Sequence, residues 1–135
     1  MQQAIPEEIL IYPPALCPMA RTLDIIGGKW KPLIVYLVSR KVNRFSTMEK
    51  QLPGISRKVL ATQLRDLEQD GLLHREIFAE TPPRVEYSLT ELGWSLLEVI
   101  MPVYEWGAQH LQHRLPRKGP AAALPETPIC NAHSS

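Results

Sequence analysis

Ser56, Arg57, Lys58, Thr62 and Arg65 form the chain's most suggestive chemical constellation. They fall in ISRKVLATQLRDLEQDG, where Leu60, Leu64 and Leu67 recur at i, i+4 and i+7 and predict an amphipathic helix. At about 100° per residue, Lys58, Thr62 and Arg65 lie on the side opposite those leucines. The charges run against the helix dipole: cations occupy the first turn, and Asp66, Glu68 and Asp70 crowd the last turns. Each misplaced exposed charge costs roughly 0.3–1 kcal/mol. Positive charge retained at that end points to an anion outside the chain, and the free N–H groups there favour a phosphate.

The charge distribution agrees. The 135 residues carry a net charge of only +1, yet residues 40–65 hold seven basic side chains against Glu49 alone, a local balance of +6 beside −5 for the remainder. A basic segment in an otherwise acidic chain predicts a localised face for a polyanion. The hydrophobic fraction of 44% and charged fraction of 21% are those of a soluble globular protein, and the length suits one domain. No run of about 18 apolar residues exists, so no membrane span is expected. Glu7 and Glu8 stand where a signal peptide needs basic residues, so a cytoplasmic location is expected.

Other reactive groups are few. Two cysteines, Cys17 and Cys130, are too few for a disulfide framework. Cys17 precedes Pro18 at the start of a predicted helix, where a thiol gains nucleophilicity, and Arg21 follows one turn later. A redox-sensing thiol and a small half-buried packing residue both remain open for Cys17. Cys130 can reach Cys17 of a second subunit but has no activating neighbour. His110 and His113 share a helix face, but no ligand partner stands at matching spacing, so no metal is expected. No G-x-G-x-x-G or P-loop sequence occurs, and neither a cofactor nor an enzyme is indicated; a thiol peroxidase or reductase built on Cys17 is the rival reading.

The elements that must position these groups follow from periodicity and punctuation. Residues 1–15 read as an irregular arm, interrupted by Pro6, Pro13 and Pro14. A first helix starts at Pro18 and stops at Gly27-Gly28; a second spans 29–39 with Trp30, Leu33, Ile34, Leu37 and Val38 inward. A short link, with one possible strand, reaches Phe45. Ser46-Thr47-Met48-Glu49 is a capping-box sequence with Ser46 as N-cap. Pro53-Gly54 turns the chain, Ser56 caps the basic helix, and Gly71 ends it. Strands over about 72–79 and 84–89 form a hairpin with a Glu80-Thr81-Pro82-Pro83 tip. Thr90 caps a final helix to about His110, which Pro102 should kink or split. Residues 113–135, with Pro116, Pro120, Pro125 and Pro128, read as a disordered tail.

This order, mainly α with a small β-hairpin (α+β), is that of a winged helix-turn-helix. In such proteins the second helix of the motif enters the major groove, with side chains near its N-terminus at base edges. Ser56, Arg57, Lys58, Thr62 and Arg65 are the candidates here, with Ser46, Thr47 and Lys50 against the backbone. Arg84, beside the Pro82-Pro83 tip, is a candidate for a minor groove or a phosphate.

The blocks CPMARTLDIIGGKW (17–30), RFSTMEKQLPGISRKVLATQLRDLEQDGLL (44–73), ETPPRVEYSLTELGWSLLEVI (80–100) and YEWG (104–107) resemble the HxlR-type family of bacterial winged helix-turn-helix transcriptional regulators. The resemblance covers about residues 16–112, a single DNA-binding and dimerisation domain. It implies a homodimer on double-stranded DNA with a pseudo-palindromic operator, acting as a regulator, most simply a repressor. It also implies a dimer interface built by the first and last helices, for which Leu96, Ile100, Val103, Tyr104, Trp106 and Leu111 are the candidates. A signal through oxidants at Cys17 and a small aromatic effector held between helices both stay open.

Overall fold

The computed structural model describes residues 14–111, so the arm before Pro14, the tail after Leu111, Cys130 and His113 lie outside it. After a 3₁₀ turn at Pro14–Leu16 come α1 (Pro18–Ile25), α2 (Trp30–Ser39), α3 (Phe45–Gln51), α4 (Arg57–Gln69), β1 (Leu73–Phe78), β2 (Arg84–Leu89) and α5 (Glu91–His110). Five helices and one antiparallel hairpin make the winged helix-turn-helix that the order of elements implies.

α2 is the hub. It packs against α4, β2 and α5, which together enclose its second half, so Ile34, Val35, Tyr36, Leu37 and Val38 are all buried. The predicted one-sided stripe is therefore too narrow: Val35 and Tyr36 are covered as well, while Trp30 and Leu33 are only partly buried at the open first turn. Met48 from α3, Leu52 just after it, Leu60, Leu64 and Leu67 from α4, Leu72 and Leu73 at the start of the hairpin, Tyr87 from β2 and Ile100 from α5 complete the core.

α4 is specified at both ends. The Ser56 hydroxyl accepts from the Val59 N–H at 3.0 Å, satisfying one of the donors left free at a helix start. At the other end Gly71 adopts φ +79, its N–H donates to the Glu68 carbonyl, and the Leu72 N–H reaches back to the Leu67 carbonyl at 2.9 Å. This paired arrangement closes the helix and launches β1 at once. The hairpin pairs Leu73 with Leu89, Arg75 with Tyr87 and Ile77 with Val85. No strand forms in the link before α3 among the described residues. Instead Asn43 clamps the outer edge of β2: its carbonyl accepts from the Tyr87 N–H at 3.0 Å, and its amide donates to the Tyr87 carbonyl at 3.1 Å.

The base of the hairpin is tied to α5 through Thr90. Its hydroxyl donates to the Gly71 carbonyl at 2.6 Å and accepts from the Gly93 N–H at 3.0 Å. Gly93 sits so close to this base that a Cβ there would fall on the Leu72 carbonyl oxygen.

Two expectations need correction. The Ser46 capping box does not form: α3 begins two residues earlier, with Arg44 at the cap position and no side-chain cap bond. Phe45, Met48 and Leu52 (i, i+3, i+7) all turn into the core, and burying that stripe sets the helix phase. Pro102 does not split α5, which runs unbroken from Glu91 to His110.

Candidate nucleic-acid interface

The α3–turn–α4 unit is held from beneath by apolar contact. Leu60, Leu64 and Leu67 are 0–2% exposed, which forces the opposite side of α4 outward. Lys58, Thr62 and Arg65 are all exposed there, and neither cation takes part in an ion pair among the described residues. Gly54, at φ +93, makes the turn that brings α3 alongside. Ser46, Thr47 and Lys50 are exposed on α3, as is Arg44 at its start. The Thr47 hydroxyl donates to the Arg44 carbonyl at 2.9 Å, which fixes its orientation.

Arg57 is handled differently. Its guanidinium donates to Glu49 Oε1 at 2.9 Å and stacks 5.1 Å over the Phe45 ring, yet its side chain stays 73% exposed. Glu49 thus joins the two helices of the motif and partly neutralises the arginine, a role that reading Glu49 as a capping residue concealed. The reversed charge order on α4 has a partial internal cause as well. Asp66 pairs with Lys31 of α2 at 3.5 Å, whereas Glu68 and Asp70 are exposed and face no cation among the described residues.

At the wing, Arg84 is engaged by its own hairpin. Its guanidinium lies 3.1 Å from Glu80, 3.5 Å from Glu86 and 4.1 Å over the Phe78 ring. Two carboxylates and an aromatic face hold it within the hairpin. It braces the wing. Arg75 and Ile77, on the face shared with Tyr87 and Val85, are exposed.

The six apolar residues expected at a subunit interface separate into three groups. Ile100 is buried in the core and Leu96 packs against it, so both serve the protomer's own fold. Tyr104 is half-buried beside α2. Val103 and Trp106 are 62% and 58% exposed, and Leu111 is also exposed. Leu92 and Val99 complete their stripe at i, i+7, i+11 and i+14, a spacing legible in the sequence once the inward face is known. A second stripe runs along Leu16, Met19 and Leu23, because α1 buries no residue at all.

Cys17 is the N-cap residue of α1, half-buried, and its side chain makes no cap bond. Its carbonyl accepts from the Arg21 N–H at 2.9 Å. No second cysteine lies among the described residues, and no group of three or more His, Cys, Asp or Glu side chains there is placed to hold a metal ion. His110 stacks on Trp106 with ring centroids 4.9 Å apart. No described helix is long and apolar enough to cross a membrane.

Comparison with known proteins agrees with this geometry. The HxlR-like helix-turn-helix model matches residues 25–115. An uncharacterized HTH-type transcriptional regulator of Bacillus subtilis (strain 168), YdeP, is 47% identical over 94 residues, covering 70% of this chain and 73% of that protein. The structure of the redox regulator HypR in its reduced form superposes with a TM-score of 0.67 at 41% identity, covering 71% of this chain and 95% of that one. The reduced form of the transcriptional regulator YodB from B. subtilis gives a TM-score of 0.61 at 32% identity, over 73% and 97% of the two chains. The chain belongs to the HxlR-like helix-turn-helix family.

Proposed function

We propose that the protein is a cytoplasmic, non-catalytic transcriptional regulator that binds a pseudo-palindromic operator as a homodimer. The observation that carries this is the outer face of α4, where Lys58, Thr62 and Arg65 project from a helix anchored by three buried leucines. Arginine can grip guanine through two hydrogen bonds, and threonine offers a hydroxyl and a methyl to neighbouring bases. Arg57 and Lys58 beside the Ser56-capped N-terminus, with Lys50, Ser46 and Thr47 on α3, suit the phosphates on either side. Arg84 serves by stiffening the wing.

The two exposed apolar stripes, on α1 and on α5, support a second copy as partner. Leu92, Val99, Val103 and Trp106 would pack across a two-fold axis with Leu16, Met19 and Leu23, leaving two α4 helices to enter successive major grooves about 34 Å apart. Residues 16–112 then form one DNA-binding and dimerisation domain. Cys17 lies on α1 within this interface region, so oxidation or alkylation of its thiol would alter the spacing of the two reading helices. The redox regulators among the similar structures favour this signal, and Cys17→Ser should abolish any response of DNA binding to mild oxidant.

The test is a duplex selected by the protein from a random library, compared with a scrambled duplex at two salt concentrations. Selective binding of the first, with a steep salt dependence for both, is expected. Lys50→Ala should weaken both duplexes equally. Equal affinity of the wild type for the two sequences would sink the reading.

A further inference from the structure

One ion pair joins the reading helix to the hub. Lys31 Nζ of α2 lies 3.5 Å from Asp66 Oδ2 of α4, with side-chain exposures of 14% and 42%. We infer that Lys31 is a positioning residue: through Asp66 it fixes the roll of α4 about its own axis, and so decides which bases Thr62 and Arg65 can reach. The inference rests on the reading of α4 proposed above and adds a specificity determinant that lies behind the reading face.

Stability alone is a poor explanation for this pair. Lys31 stands in the first turn of α2 and Asp66 close to the end of α4, so each charge opposes the dipole of its own helix. A partly exposed pair adds little to folding, and the Lys31 side chain gives up most of its water to reach the carboxylate.

The pair supplies a direction that the apolar contacts lack. Burial of Leu60, Leu64 and Leu67 decides which side of α4 faces the core, but the force behind it is non-directional. At about 100° per residue, Asp66 falls on the flank between that leucine stripe and the outer face, beside Arg65. A tie at the flank resists rotation in a way that contact along the stripe does not. A roll of about 15° carries the surface of a helix about 1.5 Å, given an outer radius of about 5–6 Å. Hydrogen bonds to base edges tolerate only about 0.5 Å in length, so a roll of that size breaks them.

The test is the ratio of dissociation constants for the selected and scrambled duplexes, measured on the full chain carrying Lys31→Met or Asp66→Asn. A thermal melt confirms that each variant is folded. Charge alone would weaken Lys31→Met and tighten Asp66→Asn on both duplexes alike, with the ratio unchanged. Loss of position instead lowers the ratio in both variants, by about two- to five-fold if the effect matches the strength of one such pair. The exchanged pair, Lys31→Glu with Asp66→Lys, rebuilds the tie and should restore the ratio. Lys31→Met keeps the apolar stem of the side chain, so it remains decisive if Asp66→Asn, which strands the ammonium, misfolds. A wild type that binds the two duplexes equally defeats the reading of α4 and this inference with it. A selective wild type with an unchanged ratio in folded Lys31→Met overturns the inference alone. So does an exchanged pair whose ratio stays as low as that of the single variants.

Discussion

Glu49→Gln should tighten DNA binding, although it removes an ion pair from the fold. Glu49 Oε1 holds the Arg57 guanidinium at 2.9 Å, with side-chain exposures of 31% and 73%. Exposed pairs of this kind contribute about 0.2–1 kcal/mol, so the variant should lose less than about 1 kcal/mol of stability. On the proposed interface the same carboxylate competes with a phosphate for Arg57. Glutamine keeps the side chain's shape and one acceptor while removing the negative charge. The gain in affinity is bounded by the strength of the pair it replaces, at most about five-fold when about 1 kcal/mol is converted. A fully available Arg57 also adds one phosphate contact, which steepens the slope of log K against log salt by about 0.9. Fluorescence anisotropy of a labelled duplex over a series of KCl concentrations reads both quantities, and a thermal melt confirms that the variant is folded. A folded Glu49→Gln protein with an unchanged slope, or with weaker binding, would refute the placement of Arg57 at the phosphate backbone.

Other substitutions test the supporting parts. Ser56→Ala removes the acceptor for the Val59 N–H and should cost about 1 kcal/mol, lowering Tm by about 4–8 °C in a thermal melt. Gly93→Ala should destabilise by about 1 kcal/mol or more in urea titration, because the new Cβ strikes the Leu72 carbonyl and overpacking outweighs alanine's helix preference of about 1 kcal/mol. Val103→Glu, on the exposed stripe of α5, should leave the fold intact and shift sedimentation from dimer to monomer.

The sequence was most legible where local chemistry and burial agree. In α4 the Leu60, Leu64, Leu67 spacing, the Ser56 cap and the Gly71 stop all specify one helix in one phase, and the structure has it so. At α3 two local signals compete. Ser46 looks like a cap, but Phe45, Met48 and Leu52 all turn into the core, and burial of three apolar side chains outweighs one cap bond. α5 is apolar on two faces. Spacing alone cannot say that Ile100 and Leu96 turn inward while Leu92, Val99 and Val103 turn out; that is decided by where α2 and β2 stand. Arg84 is a matter of register. Glu86 shares its strand face two residues on, and Phe78 is its cross-strand partner, a pairing visible only after the hairpin is aligned.

The central claim is that the outward face of α4 reads base sequence. Its most direct test is the ratio of dissociation constants for the selected and scrambled duplexes, measured for wild type and Arg65→Ala at one salt concentration. Loss of a bidentate guanine contact worth about 1–3 kcal/mol should shrink that ratio by about five-fold or more, mostly through the selected duplex. A ratio equal to that of the wild type would contradict the account.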